Sequence, residues 1–296
     1  MEEKTKFSVV TDTTSDIPKE IAEKYEINIV PYYIHMNDRE YKENVDIKPE
    51  DVWKYLKNNV NHLPKTACPG VGEYYELFKK ILEKGKSILS IHITSWGSGA
   101  FQSASNAKNI IKNENPFAEI EVYDSKSVSL GTGMLAIEAA RASLKGWSLR
   151  ETIEHLKKIR KKFFHALTND TLKYLAAGGR IGKAKFLLAE VLNINPILSL
   201  DEDGVIYALD KAIGRLKAYQ KIIEHMQRFF KEKISLNLGF VYAETFDELE
   251  KLKEEILRHF PVKDVIITKL GAALSVHGGP GTVGVLAYPT ELSLDI

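Results

Sequence analysis

Four loops of this 296-residue chain carry hydroxyl side chains. They read DTTSD at 12–16, KTACPG at 65–70, TSWGSG at 94–99 and DSKSVSLG at 124–131. The third loop leads directly into a helical pattern, where exposed N–H groups and the positive end of the helix dipole attract an anion. Ser98 can cap that helix or donate its proton to a ligand. These residues predict an anion pocket, and they leave open whether the anion reacts there or is only held.

Motifs for chemistry on such an anion are absent from the sequence or incomplete. It has no G-x-x-x-x-G-K-[ST], and no G-x-G-x-x-G follows a strand with an acidic residue about twenty positions later. A nucleotide site is therefore not predicted. Residues 97–101, GSGAF, do not match the G-x-S-x-G elbow of a serine hydrolase. Without an adjacent base, the Ser98 hydroxyl is a hydrogen-bond donor rather than a nucleophile.

One reactive alternative starts from Asp12, at the end of the apolar run VVTD. An aspartyl-phosphate phosphatase needs a second carboxylate two residues after its nucleophile, and Thr14 stands there instead. Asp12 and its threonine neighbours can equally organise a turn at the end of a strand. A phosphatase or phosphotransferase that uses Asp12 is kept as the alternative from the enzyme class.

Two further candidates lie in the second half of the chain. Arg180 follows two glycines in LAAGGRIGKAK at 175–185, and His277 precedes a glycine-proline turn in SVHGGPGTVGV at 275–285. An arginine or histidine often has a purely structural role in the core. Flanking glycines indicate close backbone approach, so we expect both side chains to close the pocket from the second half.

The elements that must position these residues alternate at first between strands and helices. Strands are predicted at 6–12, 27–35, 87–93 and 119–124, and helices at 49–60, 73–85 and 134–144. This alternation favours a mostly parallel sheet with helices on both faces, whose loops converge beyond the carboxyl ends of the strands. Beyond about residue 165, a hairpin at 196–210 with a turn at Asp201–Gly204 indicates a mixed α/β domain. We therefore predict a two-domain α/β fold, residues 1–165 and 166–296, with the ligand between the domains.

The composition narrows the possible partners and compartments. The 41 Lys and Arg residues balance 40 Asp and Glu residues, so no overall charge attracts nucleic acid or an anionic membrane. The single cysteine, Cys68, excludes an intramolecular disulfide and fits a reducing cytoplasm. Neither a signal peptide nor an apolar run of membrane-spanning length is recognised. We expect a cytoplasmic protein with no nucleic-acid partner and no integral membrane segment.

The sequence resembles the DegV family of bacterial fatty-acid-binding proteins. Six motifs carry the resemblance in order along nearly the whole chain: VTDTTSDIP (10–18), KTACPGVGEY (65–74), ITSWGSGAFQSA (93–104), VYDSKSVSLGTG (122–133), YLAAGGRIG (174–182) and HGGPGTVGV (277–285). The resemblance implies a carrier rather than an enzyme. It implies that one long-chain fatty acid binds between the domains and is presented to a fatty-acid kinase, with no cofactor.

The resemblance also assigns residues. It implies that Thr66, Ser98 and His277 hold the carboxylate, with Arg180 near the head group and Gly99, Ser95 and Asp12 in its vicinity. It further implies an apolar tunnel for the tail. Apolar positions that could line this tunnel or belong to the core are Phe101, Ile110, Leu135, Leu187, Leu188 and Val191.

Departures from the family pattern concern the polar loop and the kinase. Trp96, Gly97 and Ala100 stand where the family's loop is more regular, with a leucine before the serine and a threonine at its end. Ile213 stands where many members carry an arginine, in a region implicated in docking the kinase. A fatty-acid carrier without a kinase partner is therefore a further alternative.

Overall fold

The computed structural model describes residues 6–59, 62–189, 194–230 and 234–294. Within these ranges the strands are β1 (Phe7–Asp12), β2 (Asn28–Val30), β3 (Tyr33–Met36), β4 (Arg39–Lys42), β5 (Lys65–Ala67), β6 (Ser87–His92), β7 (Ile120–Asp124), β8 (Phe164–Thr168), β9 (Ile194–Leu200), β10 (Ile206–Ile213), β11 (Leu236–Tyr242), β12 (Val262–Lys269) and β13 (Val283–Pro289). The helices are α1 (Lys19–Lys24), α2 (Pro49–Asn58), α3 (Val71–Glu83), α4 (Ala100–Glu114), α5 (Leu130–Leu144), α6 (Leu149–Lys161), α7 (Lys173–Ala177), α8 (Arg215–Phe230), α9 (Phe246–His259) and α10 (Ala272–Gly278).

A four-stranded parallel sheet forms the first half of the molecule. Its strand order is β2-β1-β6-β7. Helices α5 and α6 pack on one face and α3 and α4 on the other, since the strands are apolar on both sides. From β1 the chain turns to β2 on one side and later to β6 on the other. The loops after β1 and β6 therefore flank the switch point, where such sheets bind ligands.

The second half is built on a six-stranded mixed sheet. Its order is β10-β9-β8-β13-β11-β12, antiparallel except for the parallel pair β11 and β12. Helices α8 and α9 cover one face through a core that includes Tyr219, Ile222 and Leu252. The predicted hairpin is confirmed as β9 and β10. These two sheets confirm the two-domain α/β fold class.

The segment predicted as one strand at 27–35 is instead divided between two sheets. Residues 28–30 join the parallel sheet, whereas residues 33–36 join a small antiparallel sheet of order β4-β3-β5. Pro31 has no N–H to donate, and the N–H of Tyr32 donates to the Thr13 hydroxyl at 3.0 Å. The chain therefore leaves the first sheet at this point. The loop expected at 65–70 likewise contributes a short strand, β5.

Helix α5 lies between the two large sheets and joins their cores. Thirteen of its residues are buried, and it packs against strands of both sheets. Gly239 of β11 approaches it so closely that a Cβ there would lie 2.7 Å from the Met134 sulfur. The domain boundary between residues 165 and 166 stays a prediction. It falls within strand β8. In the described part of the chain, no helix is long and apolar enough to cross a membrane.

Candidate functional site

A cavity of about 350 Å³ opens between the two large sheets, near the carboxyl ends of β1 and β6. This volume lies at the lower end of the range for small-molecule sites. Its wall is mostly apolar and takes residues from both halves: Ile93, Val128, Leu167, Leu175, Leu198, Leu200, Ile206, Leu270 and Leu274. The cavity therefore suits a ligand that is largely apolar, and polar side chains of both halves make up the rest of its wall.

The first polar pair in this wall is Ser98 with Tyr32. Ser98 lies in the loop between β6 and α4, and its Oγ accepts a hydrogen bond from the N–H of Ala100 at 3.2 Å. The Tyr32 hydroxyl lies 2.6 Å from the same Oγ. Both side chains line the cavity. Burial raises the pKa of Tyr32 well above its ordinary value, so the phenol keeps its proton.

The second polar pair is Thr66 with His277. The Thr66 hydroxyl on β5 lies 2.9 Å from Nε2 of His277 on α10, and both residues line the cavity. Nδ1 of His277 is buried and has no hydrogen-bond partner among the described residues. It lies against Gly178, where a Cβ would come within 2.3 Å of it. Only glycine at position 178 leaves room for the imidazole.

These contacts favour one tautomer of His277. Nδ1 has no hydrogen-bond partner among the described residues in either tautomer, so the choice depends on Nε2. A proton on Nε2 can be donated to Thr66 Oγ1, and Thr66 then keeps its own proton for another acceptor. Burial, together with the charge of Arg180, lowers the pKa of His277 to about 4. The ring is therefore a neutral donor at neutral pH.

This lowered pKa makes the stability of the free protein depend on pH. The unfolded chain binds a proton on His277 near its ordinary pKa of 6.5, whereas the folded protein resists protonation until about pH 4. Stability from this group is therefore lost as the pH falls through that window, by about 3 kcal/mol in total. We expect His277→Asn to reduce this loss, measured by urea unfolding across the window. An equal loss in the variant and the wild type would contradict the assignment.

Arg180 lies at the mouth of the cavity and joins the two halves. Its Nε donates to the carbonyl of Gly97 at 3.3 Å, and its Nη1 donates to the carbonyl of Gly178 at 2.6 Å. The side chain is exposed, and it borders the cavity together with Trp96 and Gly99. An arginine so placed can attract an anion toward Ser98, or keep the loop closed over a bound ligand.

Helix α10, which carries His277, is held at its first turn by two buried carboxylates. Asp16 accepts a hydrogen bond from the N–H of Gly271 at 2.9 Å, and Glu43 accepts one from the N–H of Ala273 at 3.0 Å. Asp16 also accepts from the hydroxyl of Ser129, a residue of the cavity wall. Burial raises the pKa of both carboxyl groups. The charges of Glu43 and Asp12 raise the pKa of Asp16 further, and the charge of Asp12 raises the pKa of Glu43. These acids fix the position of the imidazole.

The backbone is strained where two of these groups meet. Asp16 and Ser129 both have a positive φ, of 48° and 53°, and Asp16 is in the left-handed helical region. Such conformations are unfavourable for residues other than glycine and persist where surrounding contacts enforce them. The hydrogen bond between the two side chains is one such contact.

Two residues of the implied head-group vicinity lie outside the cavity wall. Ser95 donates its hydroxyl to Asp124 at 2.6 Å. Asp12 is fully buried, accepts hydrogen bonds from Thr14, and lies 2.8 Å from Nδ1 of His92. Because Asp12 is buried and does not line the cavity, its position gives no support to the phosphatase alternative.

The apolar wall differs from the candidates that the sequence offered. Leu135 and Leu187 are buried elsewhere, Phe101, Ile110 and Leu188 also lie apart from the cavity, and Val191 is outside the described residues. Ile213 ends β10 and is 72% exposed. Over the ranges that the structure covers, no group of three or more His, Cys, Asp or Glu could hold a metal.

Sequence reasoning missed Tyr32, Asp16 and Glu43. Asp16 stood within a recognised motif, but its partner Gly271 is 255 residues away. Tyr32 lies within a segment that was predicted as one continuous strand. The adjacent Pro31 was the available signal that the strand is interrupted there. Glu43 gave no signal, because its partners depend on the folding of α10.

A family model described as "Uncharacterised protein, DegV family" matches residues 6–290. A DegV domain-containing protein of Clostridium acetobutylicum is 32% identical over 284 residues, which are 96% of this chain and 99% of the relative.

Solved structures agree with the sequence comparison. One, described as fatty acid binding of a DegV family protein from Thermus thermophilus, matches with a TM-score of 0.90 and 29% identity over 96% of this chain and 99% of that one. DegV of Bacillus subtilis, described as a fatty acid binding protein, matches with a TM-score of 0.84 and 29% identity over 97% and 100%. The chain belongs to the DegV family.

Proposed function

We propose that this protein binds one long-chain fatty acid, with the tail in the apolar cavity and the carboxylate against Ser98, Thr66 and His277. The observation that carries the proposal is the pairing of Ser98 with Tyr32 and of Thr66 with His277 in the wall of a mostly apolar cavity. The strands and loops that bear them adjoin, because a Cβ on Gly99 would lie 3.3 Å from the sulfur of Cys68. We further propose that the protein performs no chemistry itself and works in the cytoplasm.

The energetics suit a carrier. Each hydrogen bond to a charged carboxylate contributes about 1.5–3 kcal/mol. Burying a tail of some fourteen methylenes contributes about 11 kcal/mol before the losses of ligand and side-chain freedom. The tail therefore determines affinity, and the polar groups determine orientation. The relatives from Thermus thermophilus and Bacillus subtilis, both described as binding fatty acid, support this assignment.

Lipid extraction and ligand titration test the proposal. Organic extraction and mass spectrometry of purified protein should yield about one long-chain fatty acid per chain. Delipidated protein should bind hexadecanoic acid more tightly than 1-hexadecanol, because only the acid offers a carboxylate to the polar groups. Protein that carries no fatty acid and binds neither compound would contradict the proposal.

Presentation to a kinase is the finer part of the proposal. A fatty-acid kinase would phosphorylate the carboxylate while the tail stays bound. The exposed Ile213, where the family resemblance implies an arginine in many members, favours the alternative of a carrier without such a partner. Incubation of the loaded protein with a fatty-acid kinase and ATP decides between them. Acyl phosphate formation supports presentation, whereas its absence leaves the carrier alone.

A further inference from the structure

We propose that Tyr32 is a positioning residue that directs the hydroxyl proton of Ser98 toward the bound carboxylate. The inference rests on the proposed function, because it concerns how the same site holds a fatty-acid head group. It assigns a role to a residue outside the four loops that carry hydroxyl side chains.

Tyr32 is held firmly at its place in the wall. Its side chain is 5% exposed and lies in a core cluster with Ile34, Ile93 and Ala100. Its N–H donates to the Thr13 hydroxyl at 3.0 Å, which fixes the backbone just after Pro31. The phenol oxygen therefore has a defined position, 2.6 Å from the Oγ of Ser98.

The Ser98 hydroxyl can accept two hydrogen bonds and donate one. The N–H of Ala100 already donates to it at 3.2 Å. A carboxylate has no proton, so Ser98 must donate its own proton when it binds one. The Tyr32 hydroxyl must then be the donor in its contact with Ser98. With a carboxylate bound, the hydrogen bonds therefore run in one direction: Tyr32 donates to Ser98, and Ser98 donates to the ligand.

The phenol is suited to this donation. Its pKa is raised well above the ordinary value, first by burial and then by the charge of Asp12. Hydrogen bonds in such a chain strengthen one another in a low-dielectric site. Tyr32→Phe removes one oxygen atom and leaves the aromatic packing in place.

A double-mutant cycle tests the inference. Affinity for hexadecanoic acid is measured for the wild type, Tyr32→Phe, Ser98→Ala and the double variant. We expect Tyr32→Phe to weaken binding about five- to tenfold in the wild type and less than about twofold in the Ser98→Ala background. Tyr33→Phe is the matched control, because the Tyr33 hydroxyl bonds to Glu73 outside the cavity wall. It should bind like the wild type.

Spectroscopy of the ligand adds a second readout. The carboxyl carbon-13 resonance of bound, labelled hexadecanoic acid should move in Tyr32→Phe and stay in place in Tyr33→Phe. Unchanged affinity in Tyr32→Phe, or an equal loss in both backgrounds, would overturn the inference while the proposed function stands. Wild-type protein that binds no hexadecanoic acid would overturn both.

Discussion

Alkylation of Cys68 with N-ethylmaleimide is expected to abolish tight binding of fatty acid. Cys68 is the single cysteine of the chain, is half-buried, and lines the cavity beside Gly99. The adduct would take space that the lipid needs. Displacing about four methylenes from the cavity costs about 3 kcal/mol, which corresponds to a more than hundredfold loss of affinity. Titration of treated and untreated protein with hexadecanoic acid measures the effect.

The reactivity of Cys68 also reports whether the cavity is occupied by lipid. Saturating hexadecanoic acid should slow the alkylation of Cys68, followed by mass spectrometry, because the bound lipid covers the sulfur. In the Cys68→Ser variant, the reagent should leave the affinity at the variant's own untreated value. Full alkylation with undiminished binding would show that the lipid occupies another part of the molecule.

Replacement of Asp16 by alanine is expected to lower the free energy of unfolding by about 2–4 kcal/mol. The change leaves the hydroxyl of Ser129 and the N–H of Gly271 without their acceptor in a buried place. It also places alanine in a left-handed conformation, which is unfavourable. Because Asp16 holds the first turn of α10, the orientation of His277 should relax, and fatty-acid affinity should fall as well. Urea unfolding and ligand titration measure the two effects.

The Asp16→Asn variant keeps the side-chain shape of Asp16 and one of its hydrogen-bond acceptors. Asparagine tolerates the left-handed conformation, and its amide oxygen still accepts a hydrogen bond. We expect it to lose less than half of the stability that the alanine variant loses. Equal losses in the two variants would mean that the hydrogen bonds to Ser129 and Gly271 do not stabilise this junction.

The sequence was most informative where local patterns determine structure. The parallel sheet followed from the alternation of strands with helices, and the hairpin followed from the turn at Asp201–Gly204. The convergence of Ser98 with Thr14 and Ser129 in one wall follows from the rule that loops meet beyond the carboxyl ends of parallel strands. The order of strands, loops and helices along the sequence therefore predicted where in the fold the site lies.

Pairwise contacts between distant segments were beyond such reasoning. The pairing of Tyr32 with Ser98 depends on the break at Pro31, which ends one strand and starts another in a different sheet. The apolar wall was not predicted, because an apolar residue reads alike in a core and in a cavity. Leu135 of α5 and Leu198 of β9 illustrate this: both are buried, and only the second lines the cavity.

The position of helix α5 limits how a lipid, bound as we propose, enters and leaves. Swinging the two sheets apart, as a hinged clamshell does, would bring α5 residues such as Leu130, Met134 and Leu135 into water. Exposing each of these side chains costs about 1.5–3 kcal/mol. The summed cost for a few of them is a large part of the free energy of unfolding of a typical domain. For the proposed lipid we therefore expect a passage at the rim, where the Nε of Arg180 donates to the carbonyl of Gly97.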